Sequence, residues 1–255
     1  MKNRGFRNNN SGQVIVVTAL MVALVLLSSA IFVIGTEKDV PTATNSANSF
    51  FSAYQQAARN TLISALANLT NSGNTGVLAA DFSQLESAIA ANSYQSILQM
   101  NFVPLNEAPY QNGFYVSWGT NGQGISSACV TCEINSTGTD STSNLETTIE
   151  ATSQVDLSGT YIQLDNNSMQ INLTISLSND GLPALAETIS LNSENANRAW
   201  ISVLPPSITD FGNGTYTTSF TEQTDQLFFP LQVSAVCQDQ RGIVTMANTT
   251  CTSVG

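Results

Sequence analysis

The chain has 255 residues, a net charge of -11, only 10% charged residues and no histidine. All 18 acids follow residue 36, joined there by only Lys38, Arg59, Arg198 and Arg241, which gives 4 - 18 = -14 for that stretch. Such a surface repels phosphate backbones and excludes a nucleic-acid partner, while the lack of histidine removes the commonest general base and metal ligand.

Residues 1–13 are a basic segment with Lys2, Arg4 and Arg7, and Val14 to Ile34 follow without a charge or a proline. About 20 apolar helical residues cross a bilayer, so 14–34 is predicted to be a transmembrane helix. The positive-inside rule puts the N-terminus in the cytoplasm and the rest outside. A removed secretory leader is the competing reading, with Ser28-Ser29-Ala30 as its cleavage site. It would leave a mature chain opening on the apolar Ile31-Phe32-Val33-Ile34.

The basic stretch, then Gly12-Gln13, then the unbroken apolar helix resembles the N-termini of pilin-like proteins, of TadE/TadG-like pilus-associated proteins and of a broad set of archaeal surface proteins. The resemblance implies processing between Gly12 and Gln13 and a homo-oligomer or filament packed through the apolar helix. The sequence departs from that pattern at Ser11, where a basic residue is usual, and has no acid near Val17.

Residues 35–103 read as a helical stalk. Phe50, Phe51, Tyr54, Ala57, Ala58, Leu62, Ala65, Leu66 and Leu69 recur at helical spacing, with Asn45, Ser46 or Asn48 as cap and Asn71-Ser72-Gly73 as the stop. A second amphipathic helix is predicted from Asp81, with Phe82, Leu85, Ile89, Ile97 and Leu98 on or near one face and a break at Asn92-Ser93.

From 104 to 255 the period shortens to two. In "SMQINLTISLS" Met169, Ile171, Leu173, Ile175 and Leu177 alternate with polar residues, a half-buried strand. Asn179–Pro183 is a turn, and "AETISLN" is the expected hairpin partner. Further strands are expected at Phe114–Trp118, Thr147–Val155, Ala199–Leu204, Thr215–Phe220, Leu227–Val236 and Gly242–Ala247, with residues 118 to 124 as a hairpin turn and 133 to 144 as a polar loop or linker. The fold class is therefore α+β: a transmembrane helix, two amphipathic helices and a mainly antiparallel, β-sandwich-like domain.

Cys129, Cys132, Cys237 and Cys251 are even in number and on the outer side, where disulfides form. Three pairings exist, and the favoured one joins Cys237 to Cys251 and Cys129 to Cys132. A redox or zinc role for "CVTC" lacks the helix start and the second ligand pair it needs. Sequons stand at Asn68, Asn135, Asn166, Asn172, Asn213 and Asn248, a number the Asn/Ser/Thr-rich composition supplies by itself. Glycans would hydrate a surface so poor in charge.

Catalysis finds little to work with. Glu146 and Glu150 would serve a carbohydrate-active enzyme only as a pair flanking a bond, and on a strand they lie about 13 Å apart on one face. Asp165, Asn166 and Asn167 suit a turn better than a calcium loop. No catalytic residue, cofactor or metal is expected. The expected object is a single-pass membrane protein at the cell surface, structural or adhesive, meeting a surface or carbohydrate ligand.

Overall fold

The computed structural model describes residues 43–92, 97–137, 142–203 and 207–254. The apolar run Val14–Ile34 and the processing pair Gly12 and Gln13 lie outside the described residues. Among the described residues no helix is long and apolar enough to cross a membrane. The chain divides into two compact units, Met1–Ala53 and Tyr54–Gly255.

Helix α1 spans Ala43–Thr70 and α2 spans Val77–Asn92. Ala58, Leu62, Ala65 and Leu66 of α1 are fully buried, one stripe at helical spacing. The helix stops at the expected residues: Ser72 takes a left-handed φ of 74°, and the Gly73 N–H returns to the Asn68 carbonyl at 2.9 Å. Helix α2 begins four residues before the expected Asp81. It ends at Asn92, so Ile97 and Leu98 belong instead to strand β1, Ile97–Pro104. Phe82 of α2 packs on Phe102 of β1 with ring centroids 4.2 Å apart.

The remaining strands are β2 Phe114–Thr120, β3 Gln123–Thr137, β4 Thr142–Gln163, β5 Ser168–Asn179, β6 Leu182–Pro183 and β7 Ala186–Glu194. They continue with β8 Trp200–Ser202, β9 Ile208–Asp210, β10 Thr215–Gln223, β11 Gln232–Asp239, β12 Val244–Thr250 and β13 Thr252–Ser253. The first sheet runs β1-β3-β4-β5-β10-β9, with β2, β6 and β13 attached; the second runs β12-β11-β7-β8. All pairings are antiparallel except the short β13–β4 contact.

The alternation in β5 decides which face is core. Met169, Ile171, Leu173, Ile175 and Leu177 are at most 2% exposed. They cluster with Val155 and Leu157 of β4, Leu191 of β7 and Val233, Ala235 and Cys237 of β11, so the two sheets share one core. Each such side chain contributes about 1.5–3 kcal/mol on burial.

Two sequence expectations are corrected by the topology. The segment from Ala186 is not the hairpin partner of β5, because both edges of β5 are taken by β4 and β10. After the short return of β6, the chain crosses to the second sheet, where β7 pairs with β11 and β8. The polar stretch 133 to 144 is neither loop nor linker where it is described: residues up to Thr137 continue β3, and β4 starts at Thr142. The β2–β3 turn is as expected, with Asn121 and Gly122 both at positive φ, the pair a tight hairpin requires.

The sheets meet closely where β12 crosses β3. The Gly122 N–H donates to the Asn248 carbonyl at 2.8 Å, and Ser126 Oγ donates to the Val244 carbonyl at 2.8 Å. Gly124 lies against the Met246 carbonyl, where any side chain would overlap it.

Candidate functional site

Strand register gathers the main polar cluster. Ser127 stands opposite Thr152 and Cys129 opposite Glu150, so all four project from one face of the first sheet. The connection after β1 lays Tyr110 over them. Glu150 Oε1 accepts hydrogen bonds from Tyr110 at 2.8 Å, from Thr152 at 3.1 Å and from Ser127 at 3.2 Å. Ser127 and Thr152 also bond each other at 2.8 Å. Burial pushes the Tyr110 hydroxyl up to about 12, and its bond to Glu150 adds to the rise, so it stays a neutral donor.

The three hydroxyls converge on one carboxylate oxygen, and Tyr110 and Ser127 also bond each other at 2.9 Å, so their three protons are shared over the network. Ser127 is 2% exposed. The cluster satisfies buried hydroxyls and fastens the segment after β1 to the sheet.

A second cluster adjoins it. Asp239 is fully buried and accepts the N–H groups of Arg241 and Ile243, both at 2.9 Å, and Arg241 Nε, also at 2.9 Å. Arg241 reaches Asp180 at 2.8 Å and the Thr152 carbonyl at 2.8 Å. Arg59 of α1 meets the same Asp180 oxygen at 2.7 Å and the Glu150 carbonyl at 3.1 Å. Two of the four basic residues beyond the apolar run thus tie α1, β4, the β5–β6 turn and the β11–β12 turn together.

An uncharged cleft of about 430 Å³ is lined by Gly119, Asn121, Gln232, Asn248, Thr249 and Thr250. Its amides and hydroxyls both donate and accept hydrogen bonds. Among the described residues no group of three or more His, Cys, Asp or Glu side chains converges as a metal site.

All four cysteines are buried free thiols. Strand geometry corrects both expected bridges. Cys129 and Cys132 lie three residues apart on the unbroken strand β3, so they face opposite ways about 10 Å apart, beyond disulfide reach. Cys237 stands opposite Thr245, whereas Cys251 bonds the Leu231 carbonyl at the other end of the β11–β12 ladder, about 20 Å along. Burial pushes Cys132 up to about 11 and Cys237 and Cys251 up to about 12.

The sequons occupy different settings. Asn166 and Asn213 sit exposed in turns, and Asn68 is exposed near the end of α1. Asn135 and Asn172 are half-buried on strands; Asn172 lies between Thr160 and Ser219. Asn248 lies over Gly119, where a Cβ would come 2.7 Å from its Nδ2. Asp165, bonded by the N–H groups of Asn167 and Ser168, makes the turn expected of it.

Sequence reasoning missed both polar clusters, since their members are scattered from Arg59 to Arg241. The one local signal is Asp239-Gln240-Arg241, an aspartate closing a turn on its own backbone. No family model matches the chain, and no curated protein matches it.

Proposed function

We propose that the chain is a single-pass membrane-anchored protein of the cell surface, glycosylated, with a structural or adhesive role. The observation that carries this reading is the run Val14–Ile34, preceded by three basic residues and followed by all 18 acids. The outer face of the first sheet supports it. Its cross-strand rows read Asp156–Ser176–Thr215, Ser158–Thr174–Thr217 and Thr160–Asn172–Ser219, with one charge among nine side chains. A surface of this kind takes its hydration from hydroxyls, amides and attached glycans. A carbohydrate ligand would find its hydrogen-bonding match in the cleft between Gly119 and Thr250.

A second reading, a pilin-like filament subunit, rests on Gly12-Gln13 immediately ahead of the apolar run. Mass spectrometry of the mature N-terminus, on protein from the membrane and from the sheared surface fraction, separates the two. An anchor keeps the residues ahead of Gln13 and stays in the membrane. A start at Gln13 in the sheared fraction replaces the anchor with the filament subunit, and a start just after Ala30 overturns both.

A further inference from the structure

Sheets normally blunt their edges, because unpaired backbone groups recruit other strands. Here the outer side of β12 lies against β3 through Gly122 and Ser126, and the edge strands β8 and β9 have three residues each. The side of β4 that faces away from β3 is paired with β5 from Ser153 onward. Just ahead of that, Arg59 caps the Glu150 carbonyl, Asp180 takes the Thr152 N–H, and Arg241 with the Asp180 N–H takes the Thr152 carbonyl.

The blunting stops there. From Thr142 to Ile149 that side of β4 has no strand partner among the described residues, and neither has the side of β1 away from β3. These are the longest unpaired edges among the described residues, and β1 and residues 142–149 match in length, at 8 residues each.

The alternation of hydrogen bonds fixes which groups are free. Glu150 and Thr152 turn their backbone groups away from β3, so Thr148, Glu146 and Asn144 do the same. Leu105 donates toward β3, to the Cys129 carbonyl, so Leu98, Met100, Phe102 and Pro104 face outward. Pro104, which has no N–H, takes an edge-facing position, where a proline is tolerated.

The geometry points to a second copy of this chain as the partner, with β1 of one molecule adding to residues 142–149 of β4 in the next. The two edges lie on opposite sides of the same three strands, β1-β3-β4, so the addition continues the sheet. Charge selects this pairing over β4 on β4. The stretch ILQMNFVP carries no charge, whereas β4 against β4 would set Glu146 and Glu150 against the same acids. A contact between two different edges leaves each added copy with a free edge, so it carries assembly past the dimer, into a ring where the rotation between copies closes and a filament where it does not. The pairing requires neither a retained nor a processed N-terminus.

Sedimentation velocity of the full chain in detergent tests this with Met100→Pro and Glu146→Pro, each of which removes an outward N–H from one of the two edges and no hydrogen bond to β3. The unsubstituted chain should grow past dimer as concentration rises. Each variant alone should be monomeric, and the two mixed should give 1:1 dimers, since each keeps the edge the other has lost. A chain monomeric at every concentration, a variant that still assembles alone, or variants that fail to pair when mixed would overturn the proposal. Hydrogen exchange on the unsubstituted chain needs no substitution to be tolerated. The amides of Met100, Phe102, Glu146 and Thr148 should slow at least about tenfold on assembly, and unchanged rates would equally sink it.

Discussion

Gly159 shows how little room the core leaves at a single residue. A Cβ there would come 2.5 Å from Cys251 Sγ and 2.9 Å from a Leu173 methyl. Gly159→Ala should therefore cost about 1–3 kcal/mol by overpacking, and Cys251→Ala in the same chain should return part of that loss, a coupling that a denaturant-based double-mutant cycle reads directly. Additive effects would mean that the two do not touch. The same buried thiols set an alkaline limit. Their folded values of about 11 to about 12 lie above the ordinary 9.0, so the folded state holds protons that the unfolded chain releases. Stability is full below pH 9 and falls as pH rises toward about 12. Denaturant midpoints from pH 7.5 to 11 should decline above about 9, and Cys237→Ala should make the decline shallower. Native alkylation should add nothing, and unfolding should expose four reactive thiols.

At the scale of elements, the two arginines that meet at Asp180 differ in what they leave behind. Arg241→Ala strands Asp239, which is 0% exposed, and should cost about 3–5 kcal/mol in urea unfolding. Arg59 is 38% exposed, so Arg59→Ala should cost no more than about 1 kcal/mol. Equal losses would show that the helix contact, not the buried pair, carries the cluster. Neither cluster was legible in the sequence, because each is assembled by register between residues far apart in the chain. What was legible had a local cause: the apolar stripe of α1, the alternation of β5 and the Asn121-Gly122 hairpin. Strand β4 was seen only in its middle, since its first residues resemble a linker and become strand by pairing with β3. The cysteines misled for a related reason, as spacing along the chain says nothing about which sheet face or ladder end a thiol occupies.

For the whole molecule, the composition of the N-terminal run decides the reading. Twenty-one consecutive uncharged residues from Val14 to Ile34 would be a solubility burden on a chain that stays in water, and they suit a bilayer core of roughly 30 Å. A single charge at the middle of that run tests the assignment without touching the β-domain. Placing arginine at the centre of a spanning helix is about 3–4 kcal/mol less favourable than leucine on the insertion scale. Leu24→Arg should accordingly move most of the protein out of the membrane fraction, while the domain from Tyr54 onward keeps its far-ultraviolet spectrum and thermal midpoint. Unchanged membrane retention would show that something other than this run holds the protein there. Loss of the fold together with retention would show that the run belongs to the core of the domain, and the anchor reading would fall.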